Sequence, residues 1–553
     1  QKGAERASNL KRQAASSAVF AKKESMSMSK GTYSFTTPIY YVNAAPHLGT
    51  AYTTIAADAV ARYQRMNGYD VAFVTGMDEH GQKVADTAAA KGMTPQDWCD
   101  SMEPAFRDCW DMLDITYTDF VRTTEPRHAE TVKKFWQDLY DKGYCYKGSY
   151  EGWYCVHEET YYNESDLLKN DEGEFVCPDC KRPVQKAGGE ENWFFKLSEF
   201  QEPLLKFYEE NPDFIRPETR KNEIVSFVKS GLKDLSISRS TFDWGVPLPF
   251  DEGHVAYVWA DALLAYFTGI GYGSEERAGE FEQRWPMQYH FVGKDITRFH
   301  CVIWPAMLMA AGLPVAHTVF GHGFLLTKGE KMSKSKGNAL KPADLVKVFG
   351  VDAYRYYFLS DVQFGHDGSI SIERMVQVYN ADLANTWGNL CSRVFNMTKK
   401  YFEGKVPAAP AGAEENPLRE IADELYAEYD KCMGQVDFTN AAAAVQKLAS
   451  RVNLYVEDSA PWNLAKSEET ADELAAVIYN ALEAIRIIAL YMAPFMPNTS
   501  AEVFNRLGLG DIFAITDIEA ASVWGQLEAG SAVAVGDPLY PRLDADAIDL
   551  SIE

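Results

Sequence analysis

The sequence predicts an α/β fold: a parallel-sheet domain split by an insertion, then an all-helical region. Three observations predict it. A strand–helix–strand pattern opens near residue 33 and a second begins near residue 289. The stretch 143–244 interrupts them. From Ser371 onward the apolar residues recur at helical spacing.

Residues 1–31 are set apart as a tail. Up to about residue 27 they are Ala/Ser-rich, with Lys2, Arg6, Lys11, Arg12, Lys22 and Lys23 against Glu5 and Glu24, and the chain does not begin with Met. A disordered tail, a transit-peptide remnant or an upstream read-through would all read this way. The first half of the α/β domain is placed at 32–142. Tyr33–Val42 is predicted as a strand with a turn at Pro38. A helix follows, with Ile55, Ala59, Tyr63 and Met66 on one stripe and Gly68 as its stop. Asp70–Gly76 is then a short buried strand, and the βαβ unit implies parallel pairing. The second half is placed at 245–327, with a strand at Tyr289–Val292, a helix at Ile296–Ala311 and a strand at His317–Leu326. A lysine-rich loop region covers 328–370. In the helical region, 371–553, the stripe Ile372, Val376, Tyr379, Leu383, Trp387 leads into a Pro/Ala/Gly linker at Glu403–Pro417. Further helices are expected at about 418–434, 439–458 and 471–493.

With 46% hydrophobic and 24% charged residues, the 553-residue chain has the composition of a globular protein of several domains. Its best membrane candidate, Cys301–Ala316, is short and broken by Pro305, Gly312 and Pro314, so a buried helix and no membrane partner are expected. Nine cysteines in so long a chain do not form a disulfide scaffold, which suits a reducing compartment. The net charge of −25 excludes a protein that coats nucleic acid non-specifically. A local basic patch survives: six lysines from Lys328 to Lys347 face only Glu330 and Asp344.

Two loops carry chemistry. NAAPHLGT (43–50) lies between a strand and a helix N-terminus, where unpaired N–H groups and the helix dipole favour an anion. His47 and Gly49 suit that task, although for a His-x-Gly before a helix a capping or packing histidine is the commoner explanation. GEKMSKSKGN (329–338) spaces lysines with small residues, so several ammonium groups can swing onto a polyphosphate. Read alone, it is a solvated surface loop. No GxxxxGK[ST] and no GxGxxG is present, so a nucleotide would be held by another device.

PHLGT (46–50) with KMSKS (331–335), in that order on a split α/β domain, resembles the class I aminoacyl-tRNA synthetases. PIYYVNAAPHLG, TGMDEHGQK, YVWADALLAY, FVGKDITRFH and KMSKSKGN together resemble the methionyl-tRNA synthetase family from about Thr32 to the C-terminus. The family's first motif is often His-x-Gly-His; here Thr50 stands last and cannot carry charge. The resemblance implies a Rossmann-like catalytic domain, an inserted connective domain with a zinc-knuckle-like segment, and an α-helical anticodon-binding domain. It implies that methionine attacks ATP to give an adenylate, which then passes to the 3′ end of tRNA(Met). His47, Lys331 and Lys334 would be catalytic through charge on the phosphates, with Mg²⁺ accompanying ATP. Gly49, Thr50, Lys294, Asp295 and His322 would complete the ATP site. Ile39, Tyr41, Trp259, Tyr266, Ile296 and His300 would surround the methionine side chain, with the Tyr266 hydroxyl aimed at sulfur and Asp78 holding the ammonium. Asn389, Arg393 and Trp462 would read a CAU anticodon. Cys155, Cys177 and Cys180, with His157 or Glu158 as a fourth ligand, would hold structural zinc or merely pack.

Alternatives remain at this stage. One is another class I synthetase, although the insertion is small for an editing domain. Another is a non-catalytic tRNA- or nucleotide-binding relative. The chain stops soon after DPLYPRLD (537–544), so a monomer is expected, and the expected location is cytoplasmic or, if the tail is a transit remnant, organellar.

Overall fold

Six parallel strands form the central sheet in the computed structural model, which describes residues 29–544 apart from 157–159, 163, 179, 328–329, 332–339, 411 and 414. The strands are β1 (Thr32–Tyr41), β2 (Asp70–Asp78), β3 (Asp119–Arg122), β4 (Ile215–Arg216), β5 (Tyr289–Gly293) and β6 (Thr318–His322), in the order β3-β2-β1-β5-β6-β4. The chain runs outward from β1 to β3, then returns to lay β5 and β6 on the other side of β1. That reversal between β1 and β5 is where an open parallel sheet forms its crevice, beyond the carboxyl ends of the strands. The edge strand β4 comes from the inserted stretch, which is thereby stitched into the main sheet.

Pro38 does not turn the chain, as the sequence suggested. β1 continues through it as a bulge, slipping register between Thr36 and Ile39. A proline is tolerated in a central strand only at such a slip, because it has no N–H for the ladder. Gly76 is required by close approach: a Cβ there would lie 2.0 Å from the Val121 carbonyl oxygen on β3. Helix α1 (Leu48–Met66) has nearly every side chain buried, between the sheet and the helical region.

The strand expected at His317–Leu326 is two strands in two sheets. Beyond β6, Leu325–Thr327 pairs instead with Glu330–Lys331 and with Gly368–Ile370. Glu330 and Lys331 therefore belong to a small sheet separate from the central one. The helix expected at Ile296–Ala311 is likewise composite: a 3₁₀ turn at Lys294–Ile296, a π-helical stretch at Phe299–Ile303 and an α-helix at Trp304–Ala311. Pro305 explains the widened turn, since it offers no N–H to the Cys301 carbonyl four residues back. The Tyr208 hydroxyl donates to that carbonyl instead, at 2.6 Å.

In the insertion, Cys145–Cys155 and Gln185–Phe195 form a long antiparallel pair whose connection carries the cysteine cluster. The helical region holds Pro417–Gly434, Phe438–Ser459 and Ala471–Met492, close to expectation. Ile372–Phe402 is helical throughout but π-helical from Tyr379 to Gly388. The longest apolar helix is not Cys301–Ala316: Glu468–Met492 is long and apolar enough to cross a membrane, yet it lies mostly buried in the protein as a core helix.

Candidate active site at the carboxyl edge of the sheet

The register of the sheet gathers the predicted residues. Tyr41 pairs with Asp78 across β1 and β2, and Ile39 with Gly76. Gly293 pairs with His322 across β5 and β6, and Lys294, Asp295 and Ile296 follow Gly293 directly. Four adjacent strands thus end at one crevice, and α1 begins there.

His47 caps α1. Its Nδ1 accepts from the N–H groups of Gly49 at 3.1 Å and Thr50 at 3.3 Å. Thr50 closes the box, its Oγ1 accepting from the His47 N–H at 2.9 Å. This corrects the expectation of unpaired N–H groups at that helix end: the imidazole takes two of them. The ring is a neutral acceptor on Nδ1, so its proton sits on Nε2. The positive end of the helix is in this way carried outward to the Nε2–H donor. Gly49 makes the arrangement possible, since a Cβ there would lie 3.0 Å from the imidazole Cε1. Thr50 therefore has a structural task of its own, as the second half of the capping box.

His322 is buried, and both its ring nitrogens are engaged. Nδ1 donates to the Gly323 carbonyl at 2.8 Å and Nε2 lies 2.6 Å from Thr53 Oγ1 on α1. Burial lowers its pKa, so it is a neutral brace for the start of α1. Lys294 makes a two-pronged ion pair with Asp367, at 2.7 Å to each oxygen. Asp367 also accepts from the Phe324 N–H, which ties the end of β5 to the small sheet that bears Lys331. Asp295 is exposed at the rim. Lys331 lies in the short strand Glu330–Lys331; Lys334 lies outside the described residues.

Trp259 and Tyr266 stand on two successive short helices, Val258–Ala262 and Ala265–Thr268. They still converge. Trp259 stacks on Phe299 with ring centres 3.8 Å apart and meets the His300 ring edge-on at 6.2 Å. The Tyr266 hydroxyl lies 2.6 Å from His300 Nε2, and His300 Nδ1 donates to the Ile296 carbonyl at 3.0 Å. Burial depresses the His300 pKa to about 4, so the ring is neutral and Nε2 can only accept. The single Tyr266 proton is therefore already committed to His300, which corrects the expectation of a hydroxyl waiting for sulfur. Burial, then the nearby charge of Asp78, push the Tyr266 phenol well above its ordinary value, which places Asp78 at the same pocket. Phe299 was missed as a pocket wall, although it sits beside His300 in the same quoted motif.

In the helical region Arg393 pairs with Glu457 at 3.3 Å, which sets the helix Asn389–Phe402 beside the end of Phe438–Ser459. Trp462 follows five residues on and is exposed, as is Asn389. In the insertion, Cys155, Cys177 and Cys180 bring their sulfurs within 4.8 Å of one another. Three thiolates on a tetrahedral zinc stand about 3.8 Å apart, so the cluster fits that metal. His157 and Glu158 lie outside the described residues.

The sequence matches the family model tRNA synthetases class I (M) over residues 33–395. It also matches the anticodon binding domain of methionyl tRNA ligase over residues 406–550. It is 47% identical to the methionine–tRNA ligase of Caldanaerobacter subterraneus subsp. tengcongensis, over 95% of this chain and 81% of that protein. It is 49% identical to that of Streptomyces coelicolor, over 93% and 97%. The Mycobacterium tuberculosis methionyl-tRNA synthetase in complex with methionyl-adenylate superposes with a TM-score of 0.88 at 40% identity, covering 93% of this chain and 100% of that one.

Proposed function

The chain belongs to the methionyl-tRNA synthetase family, and from that premise we propose how its residues divide the work of methionine–tRNA ligation. Methionine is activated with ATP to methionyl-adenylate and pyrophosphate, and the methionyl group then passes to the 3′ end of tRNA(Met). The methionine carboxylate is itself the nucleophile, so the first step needs no protein base. What the protein supplies is placement and charge stabilisation.

The ATP phosphates lie at the start of α1, where the His47 Nε2–H donates to oxygens that gain charge. Lys331 and Lys334 add positive charge to the same phosphates, with Mg²⁺ entering as part of the ATP substrate. Gly49 and Thr50 hold the His47 ring, and His322 braces the same helix end. Lys294 and Asp295 form the nucleotide rim. Methionine lies against Ile39, Tyr41, Trp259, Ile296 and His300, with its ammonium on Asp78. The Tyr266–His300 pair closes the pocket as an internally satisfied wall, so it gives an apolar side chain no unpaired donor to meet. Asn389, Arg393 and Trp462 take the anticodon. Cys155, Cys177 and Cys180 would hold a zinc ion with His157 or Glu158, and the ion would cross-link the connection in the insertion.

The observation that carries this reading is the convergence of the His47 cap, Asp78 and the Tyr266–His300 pair on one crevice at the strand reversal. ATP–pyrophosphate exchange with a panel of amino acids tests it. Methionine alone should support exchange. Exchange with no amino acid would refute the catalytic reading, and exchange with isoleucine but not methionine would refute the pocket.

A further inference from the structure

Asp261 is the centre of a buried hydrogen-bond chain that the assignments above do not use. Its carboxylate is fully buried. His80 Nδ1 donates to Oδ2 at 2.5 Å and His128 Nε2 donates to Oδ1 at 2.7 Å. His128 Nδ1 in turn lies 2.9 Å from Thr268 Oγ1. Burial works to raise the Asp261 carboxyl, but the two imidazoles more than offset it and hold it well below the ordinary carboxylate range. Each oxygen of an ionised carboxylate thus takes one ring N–H.

The chain touches three segments, each two residues beyond a pocket residue. His80 follows Asp78 off the end of β2. Asp261 follows Trp259 on Val258–Ala262, and Thr268 follows Tyr266 on Ala265–Thr268. His128 comes from Pro126–Asp141 and closes the link. A buried ion shared by two imidazoles is a poor device for stability alone, since apolar packing of equal volume serves as well. It is a good device for fixing relative position, because each partner must meet a defined lone pair. An asparagine at 261 would offer one acceptor and one donor and no charge, so one imidazole would have to change tautomer and both would lose a charge-assisted bond.

We propose that Asp261, through His80 and His128, is the positioning residue of the methionine pocket: it fixes Asp78, Trp259 and Tyr266 relative to one another without touching the substrate. This rests on the pocket assignment made above. The consequence is specific to one substrate, because the chain ends at methionine-side residues and not at His47.

Steady-state ATP–pyrophosphate exchange, with the two KM values measured separately, tests it. Asp261→Asn should raise the methionine KM about tenfold, the scale of a small misplacement of binding groups, and leave the ATP KM within about twofold. His80→Asn and His128→Gln carry amide N–H groups that can replace Nδ1–H and Nε2–H, and should keep most methionine affinity. His80→Leu and His128→Leu should lose it. Equal rises in both KM values, or an unchanged methionine KM in folded Asp261→Asn, would overturn the proposal. Should Asp261→Asn not fold, the contrast between His80→Asn and His80→Leu decides, and equal methionine KM values there would also overturn it. Asp78→Asn separates the two layers. An unchanged methionine KM in that variant refutes the pocket itself; a raised one, with the Asp261 set unaffected, refutes only the positioning role.

Discussion

His47 was legible in the sequence as a residue type in a suggestive place, a histidine before a glycine at a helix start. Which nitrogen does what was not legible, because that depends on where the Gly49 and Thr50 N–H groups point. Lys294 shows the same limit: its motif marked it, but its partner Asp367 lies 73 residues away. The Tyr266 proton was misassigned because the competing acceptor, His300, was counted as a wall of the pocket and not as a hydrogen-bond partner. His300 also makes a pH prediction. The unfolded chain takes up its proton near pH 6.5 and the folded protein only at about 4. Between these values the unfolded state binds more protons, so stability falls as pH falls. The loss is about 1.4 kcal/mol per pH unit for this one group. Denaturant midpoints from pH 7 to 4.5 should fall with a slope that His300→Asn makes shallower by that amount; an unchanged slope would show that the ring is not held neutral.

Helices with a strong apolar period were read nearly to their ends: Pro417–Gly434, Phe438–Ser459 and Ala471–Met492 all lie close to expectation. Errors fell where a local signal needed a distant one to interpret it. Pro38 looks like a turn until β2 and β5 are present on both sides to hold the bulge. His317–Leu326 reads as one strand, yet its second part pairs with Gly368–Ile370, a partner no local pattern reveals. Pro305 could have signalled the π-helical stretch, because a proline four residues after a carbonyl always strips that carbonyl of its helical donor. The cysteine-bearing connection yields a prediction of its own. Purified protein should carry about one zinc per chain by elemental analysis, and Cys177→Ser should lose it while the central sheet keeps its circular dichroism. A metal-free wild type with unchanged stability would show that the three thiols only pack.

The molecule as a whole is joined more tightly than a string of domains. Arg355 is fully buried on Val351–Ser360 and reaches Asp58 of α1 at 2.7 Å, the Leu113 carbonyl at 3.0 Å, and the Pro494 and Phe495 carbonyls at 3.0 and 3.2 Å. One guanidinium therefore links the helix that carries His47 to the turn that follows Ala471–Met492 in the anticodon region. Burial works to raise the Asp58 carboxyl, but Arg62 and Arg355 hold it well below its ordinary value. Arg355→Met would leave that charge underpaired and three carbonyls without their donor, at a cost of about 3–5 kcal/mol. Urea unfolding should show this loss, and an unchanged midpoint would show that the joint is dispensable. The split sheet and the helical end were both legible in the sequence, but this joint was not, because the partners of Arg355 come from three distant stretches. The acidic net charge is consistent with the reading, since a basic stretch is needed only around the lysine-rich loop. The central claim is that α1 delivers charge to ATP through the His47 Nε2–H. His47→Asn tests it most directly, because asparagine is an equally good cap and keeps the helix end intact while removing that donor. Single-turnover adenylate formation should slow by about 10²–10³ with the melting temperature and methionine KM nearly unchanged. A rate close to that of the wild type would contradict the account.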